Sequence, residues 1–283
     1  MKPSQHLKSL LITLLIAFIS SVALAQKQPA IQETSIRAPQ NIKIDGFLTE
    51  WKGEALAASN PSTRINYTVS NDDNNLYFTM SGLGVRVTTK ALNSGVIFTI
   101  SHGMDKKSRA KAADNVTVTF PLPQTDETVA HIMAATREVN DFYTDIPGHK
   151  KVLDSVQVVT NERLPVVLKE LKVKGIAAIP DSVLSVYNTE GIKVAAHITV
   201  ARLWTYELAI PLKYLGLSVA NGDKFSYHVI LPGLPDHDAA GNPIPGTLRP
   251  ARIINGEPVV ITNQNDMYLA NNTDFWGTYT LIK

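Results

Sequence analysis

The sequence predicts an all-β fold, an antiparallel β-sandwich of jelly-roll type with a few short helices. Two observations carry this prediction. Apolar and β-branched residues alternate with polar ones at a period of two over many short segments, and Asn, Asp, Gly and Pro separate these segments. Many short strands with few helices are typical of two antiparallel sheets packed face to face.

The strand candidates follow one another at short intervals along the chain. They are residues 64–69, 75–81, 96–101, 115–121, 129–136, 172–176, 182–187, 192–200, 203–211, 224–231 and 278–283. The turn at 71–74 joins the first two candidates, and the turn at 188–191 is predicted to join 182–187 to the next strand as a hairpin. Helices are predicted at 48–58, 150–156 and 212–215.

The first 25 residues form a predicted signal peptide. Lys2 and Lys8 precede a mostly apolar run over 10–19, and Ala23-Leu24-Ala25 provides the small residues of a cleavage site. The apolar run is shorter than the roughly 20 residues that span a bilayer, so cleavage after Ala25 is favoured over a membrane anchor. We therefore expect a secreted or periplasmic protein whose mature part is 26–283.

Charge and cysteine content narrow the classes of partner. The chain has 27 Lys and Arg against 25 Asp and Glu, and two of the lysines lie in the signal peptide, so the mature part is neutral. Proteins bind nucleic acids and anionic membranes through clustered positive charge, which a neutral chain lacks. Neither a nucleic acid nor a membrane is therefore expected as a partner after signal cleavage. The absence of cysteine excludes disulfides, thiolate catalysis and lipid attachment at an N-terminal cysteine.

The mature chain is predicted to be a single domain. Residues 26–283 contain no Gly/Ser-rich or Pro-rich linker and no internal repeat, and a chain of this length can bury a substantial core. The oligomeric state is left open by the sequence.

Four motifs mark the strands and their connections. They are IDGFLTEW at 44–51, NDDNNLYF at 71–78, WTYELAIP at 204–211 and FWGTYTL at 275–281. Together and in this order, they resemble carbohydrate-binding module family 9 and its DOMON-like relatives. The middle segment around 124–180 matches no part of this pattern and is predicted to be an elaboration of the domain.

The resemblance implies a β-sandwich that is attached to, or secreted alongside, polysaccharide-degrading enzymes. In its sugar-binding members two tryptophans clamp a pyranose ring, because the apolar face of a sugar stacks on an aromatic plane while its rim needs hydrogen bonds. The two clamp positions correspond here to Lys111 and Ala270, with Tyr268 as the nearest ring. Any sugar site in this protein must therefore differ from the usual one of the family.

All the tryptophans of the chain are assigned to the core, two of them by the same resemblance and Trp204 by the alternation of its strand. They are Trp51, Trp204 and Trp276. The first is expected to plug the sandwich, the second to begin an alternating buried face, and the third to precede the last strand.

A ligand site is predicted at the loop end formed by the basic loop 102–111, the loop 236–250 and the segment 268–272. The candidate ligand-binding residues are His102, Arg109, Lys111, Tyr143, Tyr268, Asn271 and Asn272. An exposed ring of Tyr268 or Tyr143 beside Arg109 or Lys111 is expected to line a concave pocket. The cations of the basic loop would suit an acidic sugar or another anion, the alternative being a solvated loop without a ligand.

No catalytic residue, metal site or cofactor is predicted. Asp236 and Asp238 resemble the start of a calcium loop, but Thr247 occupies the position that needs a bidentate glutamate. Glu207 is the one acid within an apolar strand pattern, and the resemblance gives it no catalytic role. The histidines show no metal-binding spacing, and the common hydrolase and phosphate-loop motifs are absent from the sequence.

The favoured function is non-catalytic binding, outside the cytoplasm, of a carbohydrate or a related polar ligand. Two alternatives stay open. One is an interaction or scaffold domain that has lost the sugar site. The other is a glycoside hydrolase or another polysaccharide-processing enzyme, whose paired carboxylates would have to converge in space and so leave no signature in the spacing along the chain.

Overall fold

The computed structural model describes residues 28–51, 56–111, 115–122, 149–180, 182–199, 201–234, 251–254, 257–260 and 264–283. The predicted signal peptide, the strand predicted at 129–136, Tyr143 and the loop 236–250 lie outside the described residues.

Two β-sheets dominate the described part of the chain. The strands are β1 (Ile36–Arg37), β2 (Ala58–Asn60), β3 (Ile65–Asn71), β4 (Asn75–Gly82), β5 (Val96–Ser101), β6 (Val116–Phe120), β7 (Glu170–Lys174), β8 (Val183–Ser185), β9 (Lys193–Ile198), β10 (Trp204–Pro211), β11 (Lys224–Leu231), β12 (Ala251–Ile254), β13 (Glu257–Val260) and β14 (Thr273–Thr280). The helices are α1 (Val85–Ser94), α2 (Lys106–Lys111), α3 (His149–Val167) and α4 (Gln264–Ala270), with a 3₁₀ helix at Leu212–Tyr214. The prediction of a mostly β fold with few helices is confirmed.

The first sheet has the strand order β1-β3-β4-β10-β9, with β2 also paired to β3, and the second has the order β14-β11-β5-β6-β7-β8. Among the described residues, strands β12 and β13 pair only with each other. The pairing of β1 with β3 is parallel, whereas β3, β4, β10 and β9 pair in antiparallel fashion, as do the strands of the second sheet. Strands β7 and β8 extend the second sheet at one edge, and β7 lies in the predicted elaboration.

One of the two predicted hairpins is confirmed and the other is wrong. Strands β3 and β4 pair around the turn at 71–74, with Asn71 opposite Leu76. Strand β8, however, pairs with β7 in the second sheet, whereas β9 pairs with β10 in the first. The turn at 188–191 therefore crosses between the sheets, because a turn sequence specifies a chain reversal but not which strand the next segment joins.

The helix predictions were less accurate than the strand predictions. The prediction at 48–58 is wrong for its described ends, since 49–51 form turns and Ala58 begins β2. The helix predicted at 150–156 is confirmed as part of the longer α3, and the 3₁₀ helix confirms the prediction at 212–215. Helix α1 was missed because its β-branched Val85, Val87 and Thr88 favour strands, although α1 buries Val87, Ala91 and Leu92.

Aromatic side chains from both sheets meet in one core. Phe78 of β4 stacks on Phe98 of β5, with ring centroids 4.6 Å apart, and the hydroxyls of Tyr67 and Tyr227 lie 3.0 Å from each other. Trp204 is fully buried, which confirms its predicted core role. The alternation of the strands thus places a continuous apolar layer between the two sheets.

The outer face of the first sheet is covered by the segment that precedes β2. Trp51 is 7% exposed and its ring centroid lies 6.3 Å from that of Tyr77, which points away from the main core. Ala38, Leu56 and Ala209 belong to the same apolar cluster. The predicted role of Trp51 as a plug is confirmed, and the central strands of the first sheet are buried on both faces.

Within the described residues, none of the helices combines the length and the apolar character needed to cross a membrane.

Candidate functional site

The structure places the predicted site residues at opposite ends of the second sheet. His102 and Arg109 follow β5, whose Ser101 pairs with Ser226 near the start of β11. Asn271 and Asn272 precede β14, whose Thr273 pairs with Leu231 at the end of β11. Five residues of extended strand separate these two points on β11, a distance of about 17 Å. The candidate residues that the structure describes therefore do not form one site.

Tyr268 lies near Asn271 and Asn272, at what we call the second end of this sheet, and its ring is buried rather than exposed. It is 6% exposed, and its hydroxyl donates to the backbone oxygen of Thr63 at 2.8 Å. The guanidinium carbon of Arg64 and the Nζ of Lys90 lie 4.3 Å and 4.5 Å from the centre of its ring. Burial raises the pKa of Tyr268 to about 12. Tyr268 is not available to stack on a ligand, and the predicted pocket lined by its ring is not formed.

The neighbours of Tyr268 hold the chain together at this end. The Nζ of Lys90 donates to the backbone oxygen of Asn271 at 2.8 Å and to the Oγ1 of Thr273 at 3.0 Å. Burial, followed by repulsion from Arg64, lowers the pKa of Lys90 to about 8. The exposed Asn272 accepts a hydrogen bond from the backbone of Gly233 at 2.8 Å. These contacts join α1, α4 and the two ends of the neighbouring strands.

The basic loop lies at the opposite end of the second sheet, which we call the first end, and it is anchored to that sheet. The Nε2 of His102 lies 2.9 Å from the backbone oxygen of Leu215, to which it donates. The Nε of Arg109 donates to the Oγ of Ser226 at 3.0 Å. Asp105 accepts hydrogen bonds from the backbone at the start of α2, and Lys111 is the last residue of that helix.

Trp276 lies on the outer face of the second sheet, so its predicted core role is wrong. Its ring stacks on that of His228 with centroids 4.2 Å apart, and the guanidinium of Arg109 lies 4.7 Å from its centre. The period-two pattern of β14 carried this information, because the buried Phe275 and Tyr279 occupy the other face. His228 also lies 2.7 Å from Asp274. The ring of Trp276 is therefore in contact with two other side chains of the protein, His228 and Arg109.

A groove of about 1070 Å³ opens at the first end, the end that carries the basic loop. Its lining is mixed, and we call it the polar groove after its charged and amide side chains. Four segments line it: the β3–β4 turn, the β8–β9 connection, the segment after β10, and the C-terminal residue. Its polar lining residues are Asp73, Asn74, Asn75, Thr189, Glu190, Lys193, Lys213, Ser218 and Lys283, and its apolar ones include Pro211, Leu212, Leu217 and Val219. His102 supports this groove, since Leu215 lies in the segment that forms one wall.

The turn at 71–74 closes on itself through one carboxylate. The Oδ1 of Asp72 accepts hydrogen bonds from the backbone of Asn74 at 2.7 Å and of Asn75 at 2.6 Å. Its Oδ2 accepts from the hydroxyl of Tyr77 at 2.6 Å. The hydrogen bonds lower the pKa of Asp72 although burial opposes them. Asp72 is thus a turn-forming residue, and among the described residues no group of three or more His, Cys, Asp or Glu side chains could hold a metal ion.

Glu207 is buried between the first sheet and the segment that covers it. Its Oε1 accepts a hydrogen bond from the Nε1 of Trp51 at 2.8 Å. Its Oε2 accepts from the backbone N–H groups of Asp45 at 3.1 Å and Gly46 at 2.9 Å. Burial raises the pKa of Glu207 to about 7. The carboxyl group is enclosed by these donors, so it fastens the IDGFLTEW motif to β10 rather than facing a cleft.

Comparisons with protein-family models, with curated proteins and with solved structures find no match to this chain. The resemblance to carbohydrate-binding module family 9 therefore stays a prediction based on the four motifs.

Proposed function

We propose that this protein is a non-catalytic binding module whose ligand is a carbohydrate or a related polar molecule held in the polar groove. The observation that carries the proposal is the convergence of amide, hydroxyl and charged side chains from four separate segments on one cavity of about 1070 Å³. The apolar lining at Pro211, Leu217 and Val219 offers contact to the C–H face of a sugar, while the polar lining can bind its hydroxyls.

The charges of the groove favour an acidic ligand. Lys193, Lys213 and Lys283 line it, against the acids Asp73 and Glu190. The acid Asp73 is already paired with an arginine outside the groove. The α-carboxylate of Lys283 offsets the charge of its own ammonium group, so the excess of positive charge rests on Lys193 and Lys213 against Glu190. This excess supports binding of a uronic acid or another anionic sugar, because an ammonium group attracts a carboxylate without requiring a fixed geometry.

The fold that we propose rests on the four motifs and the shared core, and the location that we propose rests on the N-terminal segment. The two sheets share an aromatic core, which supports an antiparallel β-sandwich of jelly-roll type similar to carbohydrate-binding module family 9. The N-terminal segment supports export and cleavage after Ala25. Expression of the full chain followed by N-terminal sequencing of the exported protein tests this, and a mature protein that begins elsewhere than Gln26 would contradict it.

The binding proposal is tested on a glycan array that displays neutral and acidic oligosaccharides. We expect the mature protein to bind acidic glycans and Lys213→Glu to bind them about tenfold more weakly, since the substitution reverses a charge that lines the groove. Lys174→Glu is the matched control, because Lys174 is exposed at the end of β7 and does not line the groove. Absence of binding to every glycan, or an equal loss in both variants, would refute the proposal.

A further inference from the structure

A second cavity lies between β9, α3 and the connection from β8 to β9. Its volume is about 480 Å³, within the range of roughly 300 to 1000 Å³ that is common for ligand pockets. Its apolar lining residues include Phe120, Leu164, Leu168, Val186, Val194 and Ala196. Tyr187 also lines the cavity and is 75% exposed, so an unusually exposed aromatic ring borders an apolar space.

Strand β9 is the last strand of the first sheet, and in the described part of the chain its outer edge has no neighbouring strand. Two asparagine side chains cover part of this edge. Asn161 of α3 accepts a hydrogen bond from the N–H of Ile198 at 2.9 Å and donates to its carbonyl oxygen at 2.8 Å. Asn188 donates to the carbonyl oxygen of Ile192 at 2.7 Å. Both amides therefore replace a neighbouring strand at the two ends of β9.

The stretch of β9 between the two asparagines has an unpaired outer edge in the part of the chain that the structure describes. Because backbone polar groups point to the same side at every second residue of a strand, the N–H and C=O groups of Val194 and Ala196 face the same edge as those of Ile198. Among the described residues these groups have no hydrogen-bond partner on that side. Both residues also line the cavity. An unpaired edge of this kind is a template for an added strand.

A free cation lies next to this stretch. Lys193 lines the cavity, is exposed, and makes no ion pair within the described part of the chain. The acid on the same cavity, Asp45, accepts a hydrogen bond from the backbone of Phe47 at 2.9 Å. Lys193, which also lines the polar groove, is thus available to pair with an acidic group of the ligand at this end of the unpaired stretch.

We propose that the unpaired edge of β9 binds an extended peptide by strand addition. The peptide pairs its backbone with Val194 and Ala196, inserts an apolar side chain into the cavity, and places an acidic side chain near Lys193. A small apolar molecule could fill the cavity, but it would leave the edge N–H and C=O groups without partners, which is unfavourable once water is displaced. The backbone groups therefore favour a peptide.

Amide hydrogen exchange of the free mature protein, followed by NMR, tests the edge itself. We expect the amides of Val194 and Ala196 to exchange at least tenfold faster than those of Ala195 and His197, which point towards β10. Equal protection of all four amides would overturn the proposal, because the edge would then already be paired within the protein.

Selection from a phage-displayed library of random seven-residue peptides supplies the probe, and fluorescence polarisation of the selected peptides measures affinity. We expect Ala196→Pro to weaken binding at least tenfold, since proline removes the edge N–H while its position on an outer strand keeps the pairing with β10. Ala196→Ser retains the N–H and should bind as the unsubstituted protein does.

Each outcome of these measurements decides the proposal. Selected peptides that carry an apolar and an acidic residue, slow the exchange of Val194 and Ala196, and lose affinity only in Ala196→Pro would support it. Failure to select any peptide, equal binding by both variants, or binding of the apolar dye 1-anilinonaphthalene-8-sulfonate in place of peptides would overturn it. Glycan binding by Ala196→Pro separates this site from the polar groove, in which Ala196 takes no part.

Discussion

Replacement of Glu207 by glutamine removes a carboxyl group that lies between the first sheet and its N-terminal cover. The side chain is fully buried, and its hydrogen bonds to Trp51, Asp45 and Gly46 are short enough to fix its position. Glutamine has nearly the same shape but does not titrate. The NH₂ group of glutamine must face one of these N–H donors, so the change of the stability difference with pH, rather than its value at one pH, reports the effect of the charge.

The magnitude follows from the pKa of Glu207 in the two states. Burial raises this pKa from 4.5 to about 7 in the folded protein. The difference corresponds to about 3 kcal/mol of unfolding free energy, since each factor of ten in proton affinity is worth about 1.4 kcal/mol. The folded protein binds the proton more tightly, so this stabilisation is fully present below pH 4.5 and is lost as the pH rises through about 7.

Urea denaturation of a protein comprising residues 26–283, at pH values from 4.5 to 8, measures this effect. Histidines titrate in the same range, and burial lowers the pKa of His197, which acts in the opposite direction because its contribution is lost as the pH falls. The quantity to compare is therefore the unfolding free energy of the wild type minus that of Glu207→Gln at each pH. Glu162→Gln, at an exposed position on α3, is the control.

We expect this difference to fall by about 3 kcal/mol between pH 4.5 and 8 for Glu207→Gln and to stay constant for Glu162→Gln. A constant difference for Glu207→Gln would refute the reasoning. A difference that rises with pH would also refute it, since it would show that the hydrogen bonds to the carboxylate outweigh the cost of burying its charge.

Three further substitutions test the packing, each by urea denaturation. Trp51→Phe removes the indole N–H that donates to Glu207 and should cost about 2 kcal/mol; strict additivity with Glu207→Gln would contradict a direct interaction. Tyr206→Phe removes a buried hydroxyl without a hydrogen-bond partner among the described residues, so stability should stay equal or rise by about 1 kcal/mol, and a loss above that would show a hidden partner. Gly277→Ala places a Cβ 2.2 Å from the ring of Tyr227 and should cost about 3 kcal/mol or more, whereas a loss under about 1 kcal/mol would show that the ring can move.

Much of the local structure could be predicted from the sequence. The strands of both sheets have a period of two or an apolar run, and residues such as Asp72 form their turn with neighbours a few positions away. The same pattern shows that Phe275 and Tyr279 share a face, and it could have placed Trp276 on the other. The core role assigned to Trp276 by resemblance overrode that local signal and was wrong.

The candidate site could not be predicted in the same way. His102 and Tyr268 were assigned to one loop end, but the direction of β11 puts their neighbourhoods at opposite ends of a strand. The crossing of the chain between sheets at 188–191 was missed for a related reason. Both depend on which strands pair, and pairing is decided by the fit of whole faces rather than by the residues of one turn.

The sequence by itself determined the strand pattern, the turns, the neutral charge of residues 26–283 and the absence of cysteine chemistry. Only the tertiary structure decided what converges: Lys193, Lys213 and Lys283 on the polar groove, and Asn161 with Asn188 at the two ends of the β9 edge. The physical reason is one of range. Periodicity and turn chemistry act over a few residues, whereas these groups are brought together by strand order and direction, which depend on contacts between segments far apart in the chain.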